Sequence, residues 1–241
     1  MIEHQVEQGT PEWFALRIGK PTASCFDKII TPAKGELSKQ ARGYAFKLVA
    51  ETLLNRSLDD IGNLEWVARG KELEPAAVKM YEFAEGVQTR QLGFVTTDDG
   101  MIGASPDRIV IGKPIGVEIK CPAPQTHIGY MVDGFGDEYK VQVQGQMYVC
   151  KLEAVHRYSY HPEMPPVLDI APRDDAYIAK MAVALAQFNE MMAEILSKVR
   201  ERGFFAAREE VLTPHQEVYS GALDDWLIEG VHELPDPTLA G

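Results

Sequence analysis

The residues in this sequence best suited to chemistry are an aspartate and, after ten intervening residues, a Glu-x-Lys triplet. The aspartate is Asp107, and the triplet is Glu118-Ile119-Lys120. The triplet reads as part of a strand, and side chains alternate between the two faces of a strand, so Glu118 and Lys120 point to the same side. The residues just before it read as the first strand of a hairpin, which would carry Asp107 to the end of the second strand.

Two carboxylates that meet at one point repel each other, and burial increases this cost unless a cation neutralises them. Because Mg²⁺ and Mn²⁺ prefer oxygen ligands, Asp107 and Glu118 predict a site for a hard divalent ion. A neighbouring lysine can orient or deprotonate a water, or stabilise developing negative charge. The pattern therefore predicts metal-assisted hydrolysis of a phosphodiester, although solvated charges on an exposed hairpin would look the same.

Length and composition fit one globular domain, since the chain has 241 residues, of which 45% are hydrophobic and 25% charged. No apolar run approaches the roughly 18 residues of a membrane span, and the first residues lack the pattern of a signal peptide. Cys25, Cys121 and Cys150 are widely spaced and form no CxxC pair, which argues against zinc and against a disulfide framework. We therefore expect a cytoplasmic protein.

The charge of the chain is strongly acidic but unevenly distributed. The net charge is −12, and −7 of it falls on residues 201–241. A protein that is acidic elsewhere can still hold DNA in a local basic groove, so charge neither supports nor excludes a nucleic-acid partner. We expect one domain over residues 1–205 and an acidic C-terminal extension over residues 206–241.

The order of predicted elements indicates an α/β domain with a central mixed sheet flanked by helices, an α+β arrangement being the other possibility. Predicted helices cover residues 11–18, 22–30, 38–54, 65–85, 139–149 and about 174–202. Predicted strands cover residues 91–97, 101–104, 108–111, 117–121 and 154–160.

Five further residues could join the site, and each also has an ordinary structural interpretation. Glu74, on the long helix before the sheet, is either a solvated charge or a third carboxylate for the metal. Arg17 follows Trp13 by four residues, so its guanidinium either packs on the indole or binds an anion beside an aromatic that stacks on a base. Ser24 starts a helix, where it either caps the backbone or binds phosphate. Gln142 is either an exposed amide or a hydrogen-bond donor to phosphate.

Taken in order, these segments resemble the lambda-exonuclease-type viral recombinases, alkaline exonucleases with the type II restriction-endonuclease core. The resemblance spans about residues 7–205 and depends on a set of short motifs. The motifs are Trp13-Phe14-Ala15-Leu16-Arg17-Ile18-Gly19, Thr22-Ala23-Ser24, Gly70-Lys71-Glu72-Leu73-Glu74, Ser105-Pro106-Asp107, Glu118-Ile119-Lys120-Cys121-Pro122 and Gln142-Val143-Gln144.

The resemblance implies a Mg²⁺-dependent 5′-to-3′ exonuclease that digests one strand of duplex DNA from a 5′-phosphorylated end and leaves a 3′ single strand. Asp107, Glu118 and the backbone carbonyl of Ile119 would ligate one ion, and Glu74 would support a second; Mn²⁺ is expected to substitute. Lys120 would position or activate the water. The residues at the family's positions for the terminal 5′ phosphate are Arg17, Ser24, Ser105 and Gln142, with Trp13 beside them.

The resemblance also implies partners: a homotrimeric ring threaded by DNA, a single-strand annealing protein, and a bacterial host whose phage or prophage encodes the chain. One departure concerns Pro124-Gln125-Thr126-His127, where the family can place a basic residue that contacts DNA. Two alternatives stay open, namely a structure-specific or site-specific endonuclease of the same core and a catalytically inactive scaffold that binds DNA ends. From the charge of residues 207–241, we hypothesise that this segment docks a partner or covers the outer ring.

Overall fold

A mixed sheet of five strands forms the centre of the protein, whose computed structural model describes residues 1–58 and 65–203. The strands in these residues are β1 (Ile2–His4), β2 (Thr89–Gln91), β3 (Phe94–Thr96), β4 (Gly103–Ala104), β5 (Arg108–Val110), β6 (Ile115–Lys120), β7 (Ala154–His161) and β8 (Met164–Pro172). The large sheet has the order β2-β5-β6-β7-β8, and β1, β3 and β4 form a smaller antiparallel sheet. β6 and β7 are parallel while their outer neighbours are antiparallel, so the predicted mixed sheet is confirmed.

Helices flank this sheet on both faces, which confirms the predicted α/β class. Their bounds are α1 (Pro11–Arg17), a 3-10 helix (Ala23–Lys28), α2 (Ala41–Leu54), α3 (Glu65–Glu85), α4 (Pro124–Asp133), α5 (Lys140–Cys150) and α6 (Asp175–Glu201). Parallel neighbours cannot be joined by a tight turn, and here α4 and α5 form the crossover between β6 and β7. The crossover places both helices beside the strand that carries the Glu-x-Lys triplet.

The two faces of β6 have different partners. Val117 and Ile119 belong to a small buried cluster with Tyr81 of α3, whereas Glu118 lies on the opposite face, where it meets α5. The larger core lies among α2, α5, α6 and the 3-10 helix. β6 is a central strand that is buried on both faces. Its side chains alternate between these faces, so Glu118 points towards α5 while Val117 and Ile119 point away from it.

Gly145 allows α5 to approach the 3-10 helix closely. A Cβ at this position would lie 2.6 Å from the Phe26 ring and 3.2 Å from the Cβ of Ala23. Only a residue without a side chain fits at such a distance. The contact fixes the 3-10 helix, which carries Ser24, against the helix that carries the glutamines.

Three elements were not predicted from the sequence: β1, α4 and β8. The prolines of β8, at Pro165, Pro166 and Pro172, argue against a strand, but β8 is an edge strand, where a missing backbone donor is tolerated. The predicted strand over residues 91–97 is wrong in extent, because the chain leaves the large sheet after Gln91 and joins the small sheet at Phe94. The predicted helix over residues 22–30 is the shorter 3-10 helix.

Two further expectations concern the chain as a whole. In residues 1–58 and 65–203, no helix is both long and apolar enough to cross a membrane. Met1–Val199 form one compact unit. The acidic extension and the role hypothesised for residues 207–241 lie outside the described residues.

Candidate active site

A cleft of about 810 Å³ opens beside the end of β6 and unites the two groups of residues singled out above. One part of its lining is formed by Asp107, Glu118 and Lys120. Another part is formed by Trp13, Arg17, Ser24 and Ser105, with Gln142 also in the lining. Glu74, the remaining predicted site residue with a side-chain role, acts on the two carboxylates through its charge.

The hairpin places Asp107 beside Glu118 as the sequence predicts. Arg108 of β5 pairs with Val117 of β6, so the preceding Asp107 lies level with the following Glu118. The Asp107 Oδ2 accepts a hydrogen bond of 2.7 Å from the backbone N–H of Ile119. This bond fixes one carboxylate oxygen on the motif strand.

Glu118 accepts three hydrogen bonds within the cleft. Its side chain is only 5% exposed, and Oε1 accepts from the Lys120 Nζ at 2.7 Å, which confirms that the two side chains share a face. The Gln142 Nε2 also donates to Oε1 at 2.7 Å, and the Gln146 Nε2 donates to Oε2 at 2.6 Å. These three donors satisfy the buried carboxylate oxygens of Glu118 and fix the orientation of its side chain.

The contact that the structure shows for Gln142 is with the carboxylate Glu118. The residue lines the same cleft as Arg17, but its amide donates to this carboxylate. Its assignment to the 5′-phosphate group stays a prediction. Gln146, one helical turn further along α5, was missed, although the i, i+4 spacing from Gln142 puts both amides on one face.

The carboxylates strongly influence one another's protonation. Burial raises the pKa of Asp107 well above its usual range, the charges of Glu118 and Glu74 raise it further, and Lys120 opposes them. Burial also raises the pKa of Glu74, while Arg108 lowers it. Carboxylates with such raised pKa values lack enough positive charge in their surroundings, which is the condition that a bound cation relieves.

The neighbouring carboxylates also raise the pKa of the lysine, but here the upward shift favours the charged form. Burial lowers the pKa of Lys120, but the charges of Glu118 and Asp107 outweigh burial, so the net shift is upward. The side chain is therefore held as an ammonium ion. Next to it, burial raises the pKa of Cys121 to about 11, so this thiol stays protonated and is poorly suited to binding a soft metal.

Arg17 is held at the cleft by a small set of hydroxyl groups. Its Nη1 donates to the Ser105 Oγ at 3.4 Å, and its Nη2 donates to the Thr22 Oγ1 and the Ser24 Oγ, each at 3.2 Å. The guanidinium carbon lies 4.1 Å from the centroid of the Trp13 ring. The structure thus brings together the cation and both serines that the resemblance groups around a phosphate.

Two details of this group differ from the expectations. Ser24 is not a helix cap: it is the second residue of a six-residue 3-10 helix, and its hydroxyl accepts from Arg17. One face of the Trp13 ring is occupied by Arg17, and its Nε1 donates to the Gly93 carbonyl at 3.2 Å and the Ser105 Oγ at 3.1 Å. Trp13 therefore orients Arg17 and Ser105, and the Phe14 ring also packs on it with a centroid distance of 4.9 Å.

The donor set of the cleft suits a hard cation. Asp107 and Glu118 in the lining, and Glu74 near them, offer only oxygen atoms, and the buried Oε1 of Gln146 has no hydrogen-bond partner in the described structure. Within residues 1–58 and 65–203, no cluster of three or more His, Cys, Asp or Glu side chains is arranged as a ready metal site. The chemistry of these oxygen atoms fits Mg²⁺ or Mn²⁺ and does not fit a thiophilic metal.

Two tyrosines of the cleft were also missed by sequence reasoning. Tyr130 lies on α4, and Tyr139 lies immediately before α5 with a left-handed backbone at φ 62°. α4 itself begins two residues after the Cys-Pro of the motif, where the departure from the family was noted. No sequence signal indicates a left-handed tyrosine, because this conformation is typical of glycine or asparagine.

Comparisons with known proteins agree with this geometry. A profile of the YqaJ-like viral recombinase domain matches residues 12–153. The alkaline exonuclease LHK-Exo from Laribacter hongkongensis has a TM-score of 0.72 and 27% identity, over 80% of this chain and 98% of that chain. The structure of LHK-Exo in complex with dAMP gives the same TM-score and coverage at 28% identity.

A more distant structure shares the fold. It is a phage-related exonuclease from Haemophilus somnus 129PT, with a TM-score of 0.62 and 16% identity, over 75% of this chain and 96% of that chain. Among proteins with curated functions, none matches this chain.

Proposed function

Because the chain belongs to the family of YqaJ-like viral recombinase domains, we propose that it is a Mg²⁺-dependent DNA exonuclease. It digests one strand of a duplex in the 5′-to-3′ direction from a 5′-phosphorylated end and leaves a 3′ single strand for annealing-type recombination. Support comes from the likeness to LHK-Exo, which is called an alkaline exonuclease and was crystallised with dAMP. A mononucleotide of that kind is what stepwise digestion of DNA releases.

One observation carries the proposal: a carboxylate pair with a lysine and an arginine with two serines line the same cleft. The first group has the residue types needed to hydrolyse a phosphodiester. The second group has the residue types needed to bind a terminal phosphate, because a guanidinium and hydroxyl groups donate several hydrogen bonds to one anion. A nuclease that attacks within a duplex has no use for the second group.

The metal would be held by Asp107, Glu118 and the Ile119 carbonyl, with Glu74 in support. A bound divalent ion supplies positive charge that stabilises the transition state and favours ionisation of a water. Gln142 and Gln146 hold the Glu118 carboxylate in orientation, as the partners of metal ligands commonly do.

Lys120 contributes as a cation. Its raised pKa favours the ammonium form, which can orient the attacking water and stabilise negative charge on the phosphoryl oxygens. Arg17, Ser24 and Ser105 determine which phosphodiester is cut, because a phosphate bound there places the first phosphodiester of the strand beside the carboxylates.

The same resemblance suggests the assembly in which the enzyme works. We infer a homotrimeric ring around the duplex, a single-strand annealing protein that receives the 3′ strand, and action in the cytoplasm of a bacterial host. Light scattering combined with size exclusion tests the ring. A monomer at all concentrations would overturn this part of the proposal without affecting the chemistry.

The activity is tested by comparing a 5′-phosphorylated linear duplex, a 5′-hydroxyl linear duplex and a covalently closed circle, each with Mg²⁺ or EDTA. We expect rapid loss of the first, slow loss of the second and no loss of the circle, with all activity abolished by EDTA. Cleavage of the circle at the rate of the linear duplex would favour an endonuclease of the same core. Binding of ends without cleavage would favour an inactive scaffold.

Lys120→Ala assigns the activity to this cleft. We expect turnover to fall by about 100-fold or more, which is typical of losing a group that acts on the transition state, while DNA binding persists. Lys113→Ala, on the exposed turn between β5 and β6, is the matched control and should retain full turnover. Wild-type turnover in Lys120→Ala would remove the lysine from the mechanism.

A further inference from the structure

Tyr139 has a backbone conformation that its side chain does not favour. Its φ of 62° and ψ of 5° lie in the left-handed region, and it directly precedes the first turn of α5. Glycine is the residue normally found in this conformation, because a Cβ crowds the neighbouring carbonyl. Strained backbone of this kind persists where the surrounding structure enforces it, and it is common at functional sites.

The Tyr139 ring forms a wall against the ammonium group of Lys120. The Lys120 Nζ lies 4.3 Å from the ring centroid, within the range of a cation–π interaction. On another side, the ammonium contacts the Glu118 Oε1 at 2.7 Å. The lysine side chain is only 23% exposed, so the ring and the carboxylate provide much of its surroundings.

A second tyrosine supports the first. The hydroxyl oxygens of Tyr139 and Tyr130 lie 3.4 Å apart, and the Tyr130 hydroxyl donates to the Glu138 Oε1 at 2.8 Å. The Tyr130 ring stacks on Phe135 with a centroid distance of 4.2 Å. These contacts hold the hydroxyl end of the Tyr139 ring in place.

The loop that leads into Tyr139 is tied to the sheet. The Nη1 of Arg157 donates to the carbonyl oxygens of Gly136 at 3.0 Å and Glu138 at 2.8 Å. Arg157 is itself 7% exposed and is held by Asp169, to which its Nε donates at 2.8 Å. Because Arg157 is the β7 partner of Glu118 in the sheet register, the loop is anchored directly beside the carboxylate that Lys120 contacts.

We propose that Tyr139 is a positioning residue for Lys120, held in its strained conformation so that its ring directs the ammonium into the cleft. The inference rests on the proposed nuclease function, in which Glu118 must also face a metal ion. A cation at Glu118 weakens the attraction between Glu118 and Lys120, and the face of the ring then remains as a contact that keeps the flexible lysine in place. Arg157, Tyr130 and Glu138 act through Tyr139.

Two substitutions separate the ring from the hydroxyl group. Tyr139→Phe keeps the ring, so we expect its kcat to stay within about threefold of the wild-type value. Tyr139→Leu removes the ring, and we expect kcat to fall about tenfold or more, as the loss of a partly buried cation–π contact implies, with an unchanged KM for DNA. A raised KM with an unchanged kcat in Tyr139→Leu would mean that the ring binds DNA and would overturn the proposal.

Tyr139→Gly separates positioning from folding. Glycine adopts the left-handed conformation without strain, and this relief offsets part of the packing that the lost side chain provided. We therefore expect a small change in the thermal midpoint, whereas kcat should still fall. Lys151→Gly is the matched control, since Lys151 has a φ of 56° at the other end of α5 and an exposed side chain. It should keep full kcat, and an equal loss of kcat in both variants would overturn the proposal.

A spectroscopic readout tests the geometry independently of catalysis. In protein labelled with ¹³C at the lysine ε-carbon, the signal absent from Lys120→Arg belongs to Lys120. The ring current should shift this signal upfield in wild type and Tyr139→Phe but not in Tyr139→Leu. If the wild-type protein shows the shifted signal but no nuclease activity, the proposed nuclease function is refuted while the contact between Tyr139 and Lys120 stands. If the wild-type protein is active but the signal is not shifted, the proposed role of Tyr139 is refuted.

Discussion

Glu118 is the residue around which the candidate site is organised. Its buried carboxylate receives donors from Lys120, Gln142 and Gln146. The alternation of side chains along a strand predicts that Lys120 shares its face, and the structure confirms this. The two glutamines could not be assigned to it from sequence, because helical spacing shows which residues share a face of α5 but not which strand that face meets.

At the scale of single residues, Arg17 and Gln142 should differ in the property they control. Arg17→Ala removes the cation beside Ser105, so the preference for a 5′ phosphate over a 5′ hydroxyl should be lost. Gln142→Ala loosens Glu118, so the Mg²⁺ concentration for half-maximal rate should rise about 10- to 100-fold. Initial rates on both end types across a Mg²⁺ titration measure the two effects.

Gln187→Ala, at an exposed position of α6 that does not line the cleft, is the control for both and should change neither property. Loss of the end preference in Gln142→Ala, with normal Mg²⁺ dependence, would return Gln142 to the phosphate group that the family resemblance assigns to it. Equal slowing of both end types in Arg17→Ala would contradict the role of Arg17.

Asp107 should destabilise the metal-free protein. Its pKa is raised in the folded state by burial and by Glu118 and Glu74, so its contribution to stability is present at low pH and is lost as pH rises through the folded-state pKa. Asp107→Asn removes this charge and should raise the free energy of unfolding by about 1 kcal/mol at neutral pH in EDTA, although it abolishes cleavage. Thermal unfolding measures the difference.

Glu190→Gln, which neutralises an exposed carboxylate on α6, is the matched control and should change the free energy of unfolding by less than about 0.5 kcal/mol. Mg²⁺ should raise the unfolding midpoint of wild type more than that of Asp107→Asn. An Asp107→Asn variant no more stable than wild type in EDTA would contradict the clustering of charge.

At the scale of elements, the contact between α5 and the 3-10 helix unites the two halves of the site. The sequence predicts both of these elements as helices, yet their close approach depends on a single glycine, Gly145. Sequence also located α1, α3, β5, β6 and β7, whose hydrophobic periods or caps are clear. It did not locate β8, because its prolines are compatible with a strand only at the edge of a sheet, and position within a sheet is not a local property.

Gly145→Ala should therefore damage the fold and the site together. The new methyl group would lie 2.6 Å from the Phe26 ring, which must shift, so we expect a loss of about 1 to 3 kcal/mol in the free energy of unfolding. Gly129→Ala is the control, because nothing lies within 4 Å of a Cβ there and alanine favours the α4 helix. Chemical denaturation measures both, and equal stabilisation in the two variants would contradict the tight contact.

At the scale of the whole molecule, the acidic net charge is compatible with the proposed DNA substrate because the charge is unevenly distributed along the sequence. More than half of the net charge falls on residues 201–241, while the cleft holds Arg17 and Lys120 beside the carboxylates. The resemblance to a family identified the kind of molecule before any fold was known. The contacts of Gln142 and Gln146 with Glu118, by contrast, appear only in the three-dimensional structure.

The stability of the molecule should depend on pH through His156. Burial lowers its pKa from the usual 6.5, Lys113 lowers it too, and Glu85 opposes them; the Tyr81 hydroxyl lies 2.8 Å from its Nδ1. The stability that the neutral ring contributes is present above pH 6.5 and is lost as pH falls through the folded-state pKa. Between pH 7 and 5 this costs at most about 1.4 kcal/mol per pH unit.

Urea unfolding of wild type and His156→Gln at several pH values isolates that contribution. The variant should show a shallower loss of the free energy of unfolding on the acid side, because glutamine takes up no proton. Parallel curves for the two proteins would contradict the assignment to His156.

The central claim is end-dependent 5′-to-3′ digestion, and one duplex tests it directly. It carries a 5′ phosphate on one strand only, a blocked 5′ end on the other, and a different label at the 5′ terminus of each strand. In Mg²⁺ we predict early release of the labelled mononucleotide from the phosphorylated strand while the opposite strand stays intact. Early digestion of the opposite strand, or internal fragments from either strand, would contradict the account.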